Sequence, residues 1–81
     1  MFTNKTENGK NNLCGTIIEK RRKEMEKSQR QLADLLQIAG LDIDKNAIQR
    51  IEAGKRFVTD IEFVYLAQVL QLSYEELLGI N

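Results

Sequence analysis

Three short motifs in this chain of 81 residues each place a Ser or Thr three positions before a Gln or Glu. In such a capping box the hydroxyl accepts a hydrogen bond from the backbone N–H three residues on, and the Gln or Glu side chain accepts one from the backbone N–H of the Ser or Thr, so a helix begins there. The motifs are Ser28 with Gln31, Thr59 with Glu62, and Ser73 with Glu76. They predict three separate helix starts, and a chain divided in this way favours an all-α fold of short helices.

Two further helices follow from apolar spacing and from the residues that begin and end helices. In the stretch 13–25 apolar residues recur at three and four positions, which predicts a first helix with one buried stripe. The stripe consists of Leu13, Cys14, Ile17, Ile18, Arg22 and Met25. Asp44 is a good N-cap for a helix from Lys45, and Gly40 and Gly54 are natural helix stops. The prediction is therefore five helices, with no strand, no internal repeat and no linker.

Length and composition bound the class of protein. Eighty-one residues with 42% apolar and 30% charged residues and no Pro are typical of one globular domain. We expect residues 1–12, which are polar, to form a flexible N-terminal tail, and residues 13–81 to form the domain. The apolar runs, such as 63–67, are too short to span a bilayer, and no apolar signal segment is present. We therefore expect a cytoplasmic protein without a membrane partner.

Residues that carry catalysis or bind metals are scarce. The chain has no His, which removes the commonest general base and metal ligand, and no Gly-rich phosphate loop or cluster of carboxylates replaces it. Cys14, the single cysteine, is expected to be a small core residue and fits a reducing compartment. We predict no enzyme, no cofactor and no metal site.

The charges sum to zero but are segregated along the chain. Residues 1–31 hold eight Lys or Arg against four Glu, a net charge of +4, and residues 45–56 hold four against one, a net charge of +3. Residues 32–44 and 57–81 carry net charges of −3 and −4. Because salt screens charges beyond about 8 to 10 Å, a nucleic-acid partner requires only one positive face.

The helix from Lys45 separates polar from apolar residues when it is turned by about 100° per residue. One arc of roughly 140° carries polar side chains with no carboxylate inside it, and the opposite side is apolar. The arc holds Lys45, Asn46, Gln49, Arg50 and Ala53, and the opposite side holds Ala47, Ile48 and Ile51. Asn and Gln can pair bidentately with adenine, and Arg and Lys with guanine, so this face can read DNA. An ordinary solvated helix face is the alternative interpretation.

Three longer stretches carry a further signal: Ser28-Gln29-x-x-Leu32-Ala33, then Ile48-x-Arg50-x-Glu52-x-Gly54-Lys55-Arg56, then Leu66-Ala67-x-x-Leu70-x-Leu72-Ser73-x-x-Glu76-Leu77-Leu78. In this order they resemble the phage-repressor and Cro-type helix-turn-helix domain, often called the XRE family, over about residues 16–79. The resemblance implies a compact five-helix bundle of the lambda-repressor-like type. It also implies that the helix from Lys45 enters the major groove of double-stranded DNA while the helix from Ser28 crosses the backbone.

The resemblance also implies a role for individual residues. The base-reading positions are Lys45, Asn46 and Gln49, with Arg50 at the edge between base and phosphate. The positions that contact phosphate are Gln29, Lys55 and Arg56. The positions of a partly buried ion pair that ties the first helix to the third are Arg22 and Glu52.

One segment departs from the family. The recognition helix usually begins about seven residues after the Ala at position 33, whereas Lys45 lies twelve residues beyond it, so the segment 38–44 is longer than usual. Leu41 and Ile43 alternate with Asp42 and Asp44. We expect the two apolar side chains to lie under the helices and the two acids to face water.

Together these features predict a sequence-specific DNA-binding regulator of transcription, acting as a repressor and as a homodimer. The dimer is expected because six apolar residues exceed what a small five-helix core should absorb. They are Phe57, Val58, Tyr65, Leu72, Tyr74 and Ile80. The alternative is a protein-interaction module, such as an antitoxin or anti-repressor, with a protein partner and with DNA binding secondary or absent. Zero net charge and the acidic segment 38–44 favour that alternative.

Overall fold

The computed structural model describes residues 5–80, which form five helices and no strand. The helices are α1 (Gly15–Glu24), α2 (Gln29–Ala39), α3 (Lys45–Glu52), α4 (Asp60–Leu70) and α5 (Tyr74–Leu78). The predicted all-α, five-helix architecture is confirmed. None of these helices has the length and apolar character that crossing a bilayer requires.

The predicted helix starts are held by the hydrogen bonds that the motifs imply. The Gln31 backbone N–H donates to Ser28 Oγ over 3.0 Å, and the Ser28 N–H donates to Gln31 Oε1 over 2.8 Å. The same reciprocal pair begins α4 at Thr59 and α5 at Ser73. Each cap satisfies backbone donors that would otherwise lack a partner, and each stabilises its helix by about 1 kcal/mol.

The core is a single cluster to which every helix contributes. The largest fully buried side chains are Ile18, Leu32, Leu36, Ile48, Ile51, Leu66, Leu70 and Leu77. Burial of each such side chain favours folding by about 1.5 to 3 kcal/mol. Since α2 packs against both α3 and α4, and α1 packs against α3, the third helix is held on two sides and presents its remaining face outward.

The first helix begins later than its apolar stripe predicts. Leu13 is 58% exposed, so its assignment to the buried stripe is wrong; it precedes the N-cap Cys14 and does not follow the helical period. Cys14 is buried as expected, and burial raises the pKa of its thiol to about 11, which keeps it protonated at neutral pH. Gly15 then allows α1 to approach α3, because a Cβ at this position would overlap the Ile51 carbonyl oxygen.

The long connection between α2 and α3 packs as its alternating pattern predicts. Helix α2 continues through Ala39 and ends at Gly40, which has a left-handed φ of 114°, so the loop itself spans residues 40–44. Leu41 and Ile43 are buried, while Asp42 and Asp44 face solvent. The Gln37 amide donates to the Ile43 carbonyl over 2.8 Å and fastens the loop to the end of α2.

The segment before α1 is attached to the end of α3. We predicted a flexible tail over residues 1–12, of which residues 1–4 lie outside the described part. Within residues 5–12, the Thr6 N–H donates to the Lys10 carbonyl over 2.7 Å and closes a turn. Asn11 and Asn12 then bond to backbone carbonyls at and beyond the C-terminus of α3. These long-range contacts were not indicated by the polar composition of the segment.

Candidate nucleic-acid interface

Helix α3 has one buried face and one exposed face. Ile48 and Ile51 are fully buried, and Asp44 begins the helix by accepting a hydrogen bond from the Ala47 N–H over 2.8 Å. The polar residues predicted to read bases all lie on the exposed side: Lys45, Asn46, Gln49 and Arg50. The separation of faces that the helical period predicts is therefore present.

The exposed face of α3 keeps its hydrogen-bonding groups free. Within residues 5–80, none of the four polar side chains of this face donates or accepts a hydrogen bond. A shallow depression of about 320 Å³ is lined by Asn46, Gln49, Arg50, Ala53 and Lys55. The small side chain of Ala53 leaves room between longer neighbours, so a base edge or a phosphate can approach the helix there.

Arg22 and Glu52 connect α1 to the last residue of α3. Arg22 Nε lies 2.7 Å from Glu52 Oε2, and Nη2 lies 3.0 Å from Oε1, which makes a bidentate pair. Arg22 is 8% exposed and Glu52 is 7% exposed, and the hydrogen bond to Glu52 raises the pKa of Arg22 above its ordinary value. Arg22 Nη1 also donates to the Lys27 carbonyl over 2.8 Å. The resemblance implied this pairing, and the geometry places it at the junction of three segments.

The pairing of Glu52 matters for the charge of the α3 face. Glu52 is the only carboxylate within α3, and it is directed away from solvent toward Arg22. Lys45 and Arg50 lie on the exposed face and Lys55 follows its C-terminal end, and all three are exposed. The positive character of this surface is thus preserved although α3 contains an acid.

Gln29 lies beside this ion pair. Its Nε2 donates to Glu52 Oε1 over 3.0 Å, and the side chain is half-buried. One of the two N–H groups of the amide is therefore used inside the protein, and the second remains a possible donor to a phosphate. Gln29 also connects the first residue of α2 to the end of α3.

Arg56 is engaged differently from the other predicted phosphate residues. Its guanidinium makes a bidentate pair with Glu62, with Nη1–Oε1 at 3.0 Å and Nη2–Oε2 at 2.9 Å. The pair holds the pKa of Glu62 below its ordinary value, chiefly through the hydrogen bond from Arg56. Arg56 thus fastens the loop after α3 to the first turn of α4, whereas Lys55 remains exposed beside the depression.

Comparison with known families is consistent with this geometry. A family model described as Helix-turn-helix matches residues 18–77, which includes all of α2, α3 and α4. The chain belongs to the XRE type of this helix-turn-helix family. It is accordingly a DNA-binding regulator of that type. No curated protein and no solved structure matched the chain.

Three residues that contact the C-terminal end of α3 and the loop after it were not indicated by the sequence: Lys10, Asn11 and Asn12. They lie in the segment assigned to the tail. One local signal existed, because Asn is a favoured helix-capping residue and Asn12 Oδ1 accepts a hydrogen bond from the Gly15 N–H over 2.8 Å. The contacts with α3 span about forty positions of sequence and carry no local signal.

The helix-turn-helix domain also exposes apolar side chains on the side formed by α4 and α5. Ile61 is 64% exposed and Val64 is 45% exposed, one helical turn apart on α4. Phe57, Tyr74 and Ile80, which the sequence suggested as surplus to the core, are also exposed. The other three suggested residues, Val58, Tyr65 and Leu72, pack against the core instead. Three of the six predicted residues therefore pack against the core and three are exposed. Ile61 and Val64 add to the exposed apolar surface.

Within residues 5–80, no group of three or more acidic, His or Cys side chains has the arrangement that a metal ion requires. Two surfaces of the domain remain as candidate binding sites: the exposed face of α3 and the apolar side chains on α4 and α5.

Proposed function

We propose that this helix-turn-helix domain is a sequence-specific regulator of transcription that reads the major groove of DNA with α3 and represses by occupying its site. The observation that carries the proposal is the exposed face of α3, on which no polar side chain has a partner among residues 5–80 and the single carboxylate of the helix is paired with Arg22. A surface of this kind combines base-edge donors and acceptors with positive charge.

The four base-reading residues cover both kinds of base pair. Asn46 and Gln49 carry amides that pair with the N6 and N7 positions of adenine, and Lys45 and Arg50 donate to the O6 and N7 positions of guanine. With its side chains an α-helix is about 10 to 12 Å in diameter, which fits the major groove of about 12 Å width. Each good bidentate contact contributes about 1 to 3 kcal/mol of discrimination between bases.

Phosphate contacts flank this face. Lys55 is exposed beside the depression and has no internal partner within residues 5–80, so it is available to a phosphate at the C-terminal end of α3. Gln29 offers its second amide N–H near the start of α2, where the backbone N–H groups and the helix dipole also favour an anion. Arg56, by contrast, stabilises the turn through Glu62, and we assign it a structural role in place of the phosphate contact that the sequence suggested.

A homodimer is part of the proposal. Ile61 and Val64 form an exposed apolar strip on α4, and Val64 shares a groove of about 400 Å³ with Leu72 and Tyr74. A second copy that presents the same surface would cover these side chains by two-fold symmetry. Two α3 helices related in this way would reach half-sites about one DNA turn apart.

A protein-interaction role has one observation in its favour. Ile38 is 84% exposed at the end of α2, close in sequence to the exposed Asp42 and Asp44. An apolar side chain beside two acids could contact a protein partner. We rank this role second because the surface around Ile38 has no set of exposed hydrogen-bonding side chains like the one on α3.

Selection of duplexes from a random-sequence pool tests the proposal against this second candidate. The protein should enrich a defined motif with two-fold symmetry, and its affinity should fall with salt with a slope of about −0.9 for each neutralised phosphate. The absence of both an enriched motif and low-salt binding to any duplex would overturn the DNA-reading role. A protein-interaction module would behave in that second way.

A further inference from the structure

The segment before α1 crosses the C-terminal end of α3. We define the N-terminal strap as residues 5–12. The Asn11 backbone N–H donates to the Gly54 carbonyl over 2.8 Å, and the Asn11 amide donates to the Lys55 carbonyl over 3.0 Å. Asn11 thus bonds to two successive residues just beyond α3, Gly54 and Lys55. The strap therefore lies beside Lys55, at the edge of the exposed face of α3.

Asn12 anchors the strap. Its Nδ2 donates to the Ile51 carbonyl over 3.0 Å and to the Arg56 carbonyl over 2.8 Å, while its Oδ1 accepts from the Gly15 N–H. One side chain therefore joins α1, the end of α3 and the loop that follows. Because both amide hydrogens and the amide oxygen are used, the position of the strap relative to α3 is specified by directional bonds.

Lys10 packs on Gly54. A Cβ added to Gly54 would lie 2.8 Å from Lys10 Cγ, 2.9 Å from Cδ and 3.0 Å from Cβ, so the absence of a side chain at Gly54 is what admits the aliphatic stem of Lys10. Lys10 is half-buried, and its ammonium group makes no ion pair with any residue in 5–80. A lysine held by its stem keeps its charged end available to solvent.

We propose that Lys10 is a DNA-phosphate-binding residue, which the Asn12-anchored strap brings to the C-terminal edge of the α3 interface beside Lys55. This inference rests on the proposed DNA binding by α3. A helix C-terminus carries partial negative charge from carbonyls without intrahelical partners, which repels a phosphate. The strap offsets part of that negative charge, since Asn12 donates to the Ile51 carbonyl, Asn11 donates to the Gly54 and Lys55 carbonyls just beyond the helix, and Lys10 adds a full positive charge.

Salt-dependent binding of Lys10→Gln tests the proposal, with Lys20→Gln as a matched control. Lys20 is exposed on α1 and lines a shallow depression together with Leu72 and Glu76. The control therefore removes the same charge from another surface. The affinity of each variant is measured for one selected duplex and one random duplex at salt concentrations between about 50 and 200 mM. Over this range the loss of affinity with added salt reports the number of phosphates that the protein neutralises.

The expected result is a slope of log affinity against log salt that is smaller in magnitude by about 0.9 for Lys10→Gln, on both duplexes, and unchanged for Lys20→Gln. An unchanged slope for Lys10→Gln would overturn the inference, and so would an equal loss in both variants, which would indicate an effect of net charge. If the wild-type protein binds neither duplex at any salt concentration, the proposed function itself fails. These outcomes are distinguishable in one data set.

Removing the anchor tests the role of the strap. In an Asn12→Ala background, the Lys10→Gln substitution should change the slope by less than half as much as in the wild type, because the lysine is no longer held beside α3. Circular dichroism establishes that the variant is folded. If it is not, Asn12→Asp replaces it, because this variant keeps an oxygen that accepts from the Gly15 N–H and removes both donations to the Ile51 and Arg56 carbonyls. A full effect of Lys10→Gln in the background used would overturn the anchoring part of the proposal.

Discussion

Glu52, the last residue of α3, accepts two hydrogen bonds from the Arg22 guanidinium of α1 at 2.7 and 3.0 Å, and both side chains are almost completely buried. This relationship fixes the end of α3 to the domain and also removes the only carboxylate of α3 from its exposed face. Stability and electrostatics of the interface therefore depend on the same pair.

Replacement of Glu52 by Ala should destabilise the domain severely. The Arg22 guanidinium would remain buried without its partner, and breaking a buried pair in this way costs about 3 to 5 kcal/mol. Urea unfolding followed by circular dichroism measures the loss. The double variant Arg22→Met, Glu52→Leu should recover most of it, since neither charge is then stranded, and a double variant as unstable as Glu52→Ala would contradict this explanation.

The Arg56–Glu62 pair should make stability depend on acid pH. Arg56 holds the pKa of folded Glu62 below the ordinary value of 4.5, so the unfolded chain binds a proton more readily than the folded one. The stabilisation is fully present above pH 4.5 and is lost as the pH falls through the lower folded pKa. Glu62→Gln keeps a capping side chain at this position but should flatten this part of the curve of unfolding free energy against pH. Parallel curves for the two proteins would show that the pair does not contribute.

Lys55 and Arg56 are neighbours with different predicted effects on DNA binding. Lys55→Gln should reduce the salt slope of binding by about 0.9, because an exposed cation beside the depression is lost, and should leave stability nearly unchanged. Arg56→Gln should leave the slope unchanged and lower the free energy of unfolding by about 1 kcal/mol, since its pair with Glu62 is partly exposed. Measurement of slope and stability for both variants checks the assignment, which a reversed pattern would refute.

The exposed strip on α4 should control self-association. Val64→Glu introduces a charge into the proposed two-fold contact and should convert a dimer into a folded monomer in sedimentation equilibrium. Gln68→Glu is the control, because Gln68 is exposed and borders the same groove but contributes no apolar surface that the dimer needs. A wild-type protein that remains monomeric at high micromolar concentration would remove the dimer from the account.

Local interactions made much of this fold predictable. The capping boxes at Ser28, Thr59 and Ser73 act between residues three apart, and the two faces of α3 follow from the helical period, so neither requires knowledge of the tertiary structure. The stop at Gln71 was not predicted, because this residue adopts a left-handed φ of 58° that usually favours Gly. Tertiary packing overrides the local preference there.

The candidate interface was predictable in its centre and not at its edges. The exposure of Gln49 and its neighbours follows from the amphipathic pattern of α3 alone. The partners of Arg56 and Asn12 do not, because a guanidinium or an amide can bond to many groups and the choice depends on which segments the fold brings together. Arg56 consequently bonds to Glu62, and Asn12 bonds to carbonyls about forty residues away.

The central claim, that the exposed face of α3 reads bases, is tested most directly by the affinities of the wild-type protein and Gln49→Ala for the selected site and for a scrambled duplex at one salt concentration. The account predicts that Gln49→Ala weakens binding to the selected site by about 1 to 3 kcal/mol and leaves binding to the scrambled duplex nearly unchanged. Equal losses on both duplexes, or no loss on the selected site, would contradict it.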